Sequence, residues 1–146
     1  MRKTKMNKIR ILVIEPNKEP YQLKVEHTLE NLQKIVGGLI EFVELEHNVD
    51  LICNEEGKIN KLPMNRIITN DVVCGTFFIA GHHKGKTISL SRKQIEKYKK
   101  EFRVDKDKWL IQFLTQNILD SSCLLNVSLY GVEKALYERK QNYESR

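Results

Sequence analysis

Apolar positions change period along this chain, and each change marks an element. Ile9 to Ile14 is β-branched and nearly continuous in apolar character, the pattern of a buried strand. Tyr21 to Val25 alternates apolar and polar, and Pro16 and Pro20 bracket a turn before it, so the two runs predict a hairpin. Thr28 can cap a helix with its hydroxyl, and Leu29, Leu32, Ile35 and Val36 follow as one helical stripe. Gly37 and Gly38 stop that helix. Leu39 to Leu45 and Val49 to Cys53 predict two more strands, turning at residues 46–48.

Asn54 to Gly57 has the composition of a tight turn, and Pro63 to Asn65 that of an irregular segment. Thr76 to Ala80 and Thr87 to Leu90 predict short strands on either side of a loop at 81–86. Ser91, with Gln94 three residues on, is a capping box that opens a basic helix to about Phe102. From Asp105 the period becomes helical again, with Trp109, Leu110, Phe113, Leu114 and Ile118 in one stripe, then Cys123 to Leu136 as a second helix weakened at Gly131. The expected fold class is α+β: a small mixed or antiparallel sheet with two packed helices, plus a C-terminal helical hairpin. Residues 1–8 read as a basic extension, 9–103 as the α/β core and 104–146 as a helical appendage.

A length of 146 residues suits one core with an appendage and suffices to bury it without staples. No apolar run is long enough to cross a bilayer and the start lacks an apolar signal centre, so a cytoplasmic, non-membrane protein is expected. The net charge of +6 is unevenly distributed. Residues 1–10 carry five basic groups and no acid, and residues 84–103 carry eight basic groups against Glu96 and Glu101. Such a surface draws anions, phosphate or nucleic acid, and excludes a protein that mimics DNA.

Three scattered cysteines without a CxxC predict reduced thiols, and no ligand spacing for structural zinc is visible. Residues 81–87 evoke a phosphate-cradling P-loop, but three residues stand between the glycines where four are needed, and a strand pattern follows where a helix must begin. His82 and His83 would point to opposite faces of a strand and share no metal, so solvated loop histidines are the simpler reading. Cys53 and Cys74 sit in or beside apolar strands, where a thiol fills space. The pair with ligand chemistry is Asn65-Arg66: the guanidinium is a planar fork suited to phosphate or a base edge, and the amide adds a donor and an acceptor. A turn asparagine beside a surface arginine is the competing reading. The basic helix (Arg92, Lys93, Lys97, Lys99, Lys100) reads first as a solvated face and second as a nucleic-acid contact.

The runs Val13–Pro16, Leu29–Glu41, Cys53–Lys58, Pro63–Arg66 and Gly75–Gly81 resemble, in that order, an uncharacterised family found largely in phages and other mobile elements, domain of unknown function 3846. The likeness covers about residues 9–102. It implies context, not mechanism: small phage proteins without catalytic residues often act against host defence. The acidic loop usual between Arg66 and Gly75 in the family is short here, with Asp71 its sole acid.

These observations lead to an expected non-enzymatic counter-defence protein of a phage or mobile element that sequesters a nucleotide-type immune signal. The expected ligand-binding residues are Asn54, Asn65, Arg66, Thr76, His82, Lys84 and Lys86, with no catalytic residue, metal or cofactor. A nucleotide-like anionic small molecule is the expected partner, and a homo-oligomer the expected assembly. The alternatives are a basic nucleic-acid-binding accessory protein and a direct protein inhibitor of a host defence system. An enzyme that hydrolyses nucleotides slowly comes last.

Overall fold

A computed structural model describes residues 7–68 and 71–104. The expected C-terminal hairpin and most of the basic extension lie outside the described residues. The rest is α+β, with all strand pairs antiparallel. Strand β1 (Lys8–Ile14) pairs with β2 (Tyr21–Glu26) in the expected hairpin, with Lys8 opposite Glu26. Helix α1 (Leu29–Val36) follows, then β3 (Ile40–Glu46) and β4 (Val49–Asn54). After β5 (Met64–Ile68) and β6 (Asp71–Cys74) come β7 (Phe77–His83), β8 (Lys86–Ile88) and helix α2 (Arg92–Glu101). The main sheet runs β2-β1-β7-β4-β3, with β8 paired to β7, and β5-β6 form a separate hairpin.

Local chemistry accounts for the helix ends. Thr28 accepts from the Asn31 N–H and Ser91 from Gln94, whose side chain returns the bond to the Ser91 N–H. Gly37, at φ 78°, closes α1 by donating to the Gln33 carbonyl.

Period-two alternation divides the core into two layers. Ile9, Ile11, Val13, Ile52, Phe78 and Ala80 face α1, meeting Leu32 and Val36. Leu12, Ile14, Leu51, Phe77 and Ile79 face the other way, toward Ile95, Tyr98 and Phe102 of α2 and its C-cap. Phe102 stands edge-on to Phe77 at 5.7 Å and stacks with Tyr98 at 6.0 Å.

Two expectations are corrected. Pro63 to Asn65 is not an irregular turn segment: β5 begins at Met64, and the short stretch before Gly75 folds with it as a hairpin. Proline immediately before the strand and a register shift between Met64 and Arg66 obscure the alternation there. Residues 81–83 are not loop but the end of β7, where Gly81 pairs with Ile88 and an added Cβ would come within 2.8 Å of the Ser89 carbonyl oxygen.

Candidate functional site

Asn65 and Arg66 lie on β5 at 1% and 2% exposure, beneath the surface rather than on it. The Asn65 amide donates to the Ile14 carbonyl at 2.7 Å and to that of Gly75 at 2.9 Å. Its oxygen accepts from Arg66 Nη1 at 2.8 Å. Arg66 Nε donates to the Phe102 carbonyl at 3.0 Å and Nη2 to the Lys18 carbonyl at 2.7 Å. The guanidinium thus ties together the β1–β2 turn, β5 and the C-cap of α2. Carbonyl dipoles, one of them at the negative end of a helix, offset its charge. The expectation that a turn presents this pair to a ligand is corrected: its donors hold the β5–β6 hairpin against the main sheet.

Asn54, also expected at the ligand, is buried. Its Nδ2 donates to the Val36 carbonyl at 3.1 Å and its Oδ1 accepts from the Glu56 N–H at 2.8 Å. It joins the end of α1 to the turn after β4. Gly38 packs close beside it: an added Cβ would come within 2.9 Å of Nδ2 and push the Asn54 amide from its bonds. Thr76 is half-buried in the link between β6 and β7.

His82, Lys84 and Lys86 all lie on the β7–β8 hairpin, at the opposite end of β7 from Phe77 and Thr76, but Lys86 is paired with His83 and so takes the face opposite His82. Lys84 at φ 48° and Gly85 at φ 75° form its tip, with both lysines exposed. His82 Nδ1 sits 2.9 Å from the Asp50 carboxylate on the neighbouring strand. The expected set is therefore split between the two ends of the sheet and makes no single site. Among the described residues, no group of three or more His, Cys, Asp or Glu side chains could hold a metal ion.

What the β5–β6 hairpin does create is a cleft of about 350 Å³ between itself and the β3–β4 end of the sheet. Its floor is apolar, with Val43 and Leu51 below and Ile68, Val72 and Val73 above. Glu41, Glu55, Lys58 and Asp71 stand at its lining, and Lys58 is ion-paired to Asp71 across the mouth. Gly57 is needed where the 54–63 segment passes the hairpin, since an added Cβ would lie 2.5 Å from the Cys74 carbonyl oxygen.

Cys53 and Cys74 both line this cleft. Burial, reinforced by Glu41, pushes the Cys53 thiol up to about 11. Burial also raises Cys74, with Lys58 opposing. Both are protonated at neutral pH, and a neutral thiol is a poor nucleophile.

The cleft arises from two segments that meet only through the fold. The one hint of it in the sequence is Glu41 and Glu44, two charges flanking Phe42 and Val43 where a buried strand would be apolar throughout.

The basic face of α2 is partly engaged. Lys97 bonds Glu46 at 2.8 Å and lies 5.2 Å from the Tyr98 ring centre. Hydrogen bonds from Lys97 and Tyr98 hold the Glu46 carboxyl below its ordinary value.

No helix among the described residues is long and apolar enough to cross a membrane. No curated protein and no solved structure matches the chain. A family model described as "Domain of unknown function (DUF3846)" matches residues 9–103, well over half the chain and all of the sheet from Ile9 on, so the chain belongs to that family.

Proposed function

We propose that the protein is a non-enzymatic binder that holds a compact guest in the cleft between the β5–β6 hairpin and the sheet. The supporting observation is the cleft itself: an apolar floor beneath a charged rim, with neutral thiols in place of an activated nucleophile. A volume of about 350 Å³ suits a single heteroaromatic or branched apolar body. The rim sets the charge of that body. Glu41, Glu55 and Asp71 stand against Lys58, which Asp71 already holds, so a phosphate would meet net negative charge.

The guest chemistry we propose is accordingly neutral or cationic, in place of the nucleotide anion expected from the overall basic charge. Sequestration remains the mode of action, because removal of a signal requires capacity and no turnover. The phage setting implied by the resemblance supplies the context, counter-defence.

Calorimetry and thermal-shift titration with three probes test this: adenosine as a neutral heteroaromatic, tryptamine as a cationic aromatic, and ADP-ribose as a phosphate-bearing control. Binding of either of the first two, abolished when Val43→Trp fills the floor and weaker or absent with ADP-ribose, is the expected result. Tight binding of ADP-ribose that ignores Val43→Trp, or no binding by any probe, overturns the reading.

A further inference from the structure

Strand β3 has no strand on its outer side among the described residues. One hydrogen bond fixes which backbone groups face that side. The Glu55 N–H donates to the Leu39 carbonyl at 2.8 Å, so Leu39 and Glu55 form a pair whose backbone groups face each other. Such pairs alternate along an antiparallel ladder. Glu41 and Val43, opposite Cys53 and Leu51, therefore turn their N–H and C=O groups toward β4. Ile40, Phe42 and Glu44 turn theirs outward.

The same edge carries exposed apolar side chains on both faces. Phe42, on the α1 side, is 51% exposed; Val43, on the hairpin side, is 40% exposed; and Leu39, just before the strand, is 55% exposed. An edge with unpaired backbone groups and uncovered apolar side chains is a template for another strand. Its charge restricts which one. Glu41 and Glu44 are exposed beside Phe42 and Val43, and a second β3 laid antiparallel would crowd two sets of these carboxylates. The register shift between Glu44 and Glu46 ends the regular edge after Glu44.

We infer that the outer edge of β3 receives an extended, cationic and apolar segment of a partner protein, added antiparallel through the outward groups of Ile40, Phe42 and Glu44. Cross-strand complementarity writes its pattern: a base opposite Glu44, apolar residues opposite Val43 and Phe42, a base opposite Glu41, and an apolar residue opposite Ile40. That order is Lys-Val-Val-Lys-Val. The site borders the cleft through Glu41 and Val43, but its outward backbone groups at Ile40, Phe42 and Glu44, and the Phe42 side chain on the opposite face of the sheet, lie outside the cleft lining.

The test is an amide-resolved NMR titration of the full chain with the glycine-flanked peptide Lys-Val-Val-Lys-Val, against Glu-Val-Val-Glu-Val as control. Expected are shifts concentrated at the amides of residues 40, 42 and 44 with the basic peptide alone. Phe42→Pro removes an outward N–H while sparing the β4 ladder, and weakens binding about tenfold or more. Glu44→Lys, at an exposed position that leaves folding intact, moves the preference toward the acidic peptide. Cleft binding of tryptamine or adenosine stays unchanged in Phe42→Pro, so the two proposals fail separately. Equal response to both peptides, no response to the basic one, or binding that survives Phe42→Pro overturns the inference. Slow amide exchange at residues 40, 42 and 44 in the protein alone also overturns it, assigning the edge to a second copy or to another segment of this chain.

Discussion

Arg66 and Asp71 stand five residues apart in one hairpin, and their charges do opposite jobs. The Arg66 guanidinium is sealed beneath the hairpin, with donors on the carbonyls of Phe102, Lys18 and Asn65. The Asp71 carboxylate, half-exposed, meets Lys58 at the mouth of the cleft. The first holds the cleft together, and the second shapes what enters it. A charged residue with the right chemistry for a ligand is therefore not a ligand contact when the fold supplies all its partners. What separates the two roles is where the donors point, and that is set by segments far away in the chain.

The sharpest way to break this comparison is Arg66→Ala. Three segments would lose a shared donor and leave buried carbonyls without one, so denaturant unfolding should show a loss of about 3–5 kcal/mol. A variant of unchanged stability that instead fails to bind a guest would restore Arg66 as a ligand residue.

A smaller and graded effect is expected from the cleft thiols. The folded value of Cys53, about 11, lies above its ordinary 9.0, so burial of the neutral thiol favours the fold fully below about pH 9. As pH climbs from there through about 11, the folded thiol is forced to ionise later than the unfolded one, and that contribution is lost. Cys74 is raised for the same reason and adds in the same direction. Melting curves from pH 8 to 11 should fall less steeply in Cys53→Ala than in the unaltered chain. Equal slopes would place Cys53 in contact with water.

The smallest effect on stability should come from Lys58→Ala. The ion pair with Asp71 is solvent-screened, and such pairs contribute about 0–1 kcal/mol. Its removal uncovers a carboxylate at the rim, so tryptamine should bind more tightly while the unfolding midpoint barely moves. A large destabilisation would make Lys58 a second clamp like Arg66.

Much of the fold was legible because short-range rules decide it. The Thr28 and Ser91 caps, the Gly37 stop, the β1–β2 hairpin and the long apolar strands rest on spacing and backbone chemistry within a few residues. The β5–β6 hairpin was not legible, since Pro63 and a bulged register broke the alternation that reveals strands. The Asn65-Arg66 pair has donor chemistry that suits either a ligand or the fold, and its inward placement was not legible because residue type says nothing about direction.

Sequence by itself determined both described helices, the strands outside the β5–β6 hairpin apart from their ends, and that no strand–loop–helix P-loop exists at residues 81–87. Tertiary structure alone decided that Ile14, Lys18, Gly75 and Phe102 deliver carbonyls to one amide and one guanidinium. It also decided that the folded-over hairpin leaves a cleft with an acidic rim and that β3 is the outermost strand on its side among the described residues. The physical reason is range: capping and periodicity act over one turn or one pleat, whereas burial and hydrogen-bond satisfaction are settled between residues dozens of positions apart.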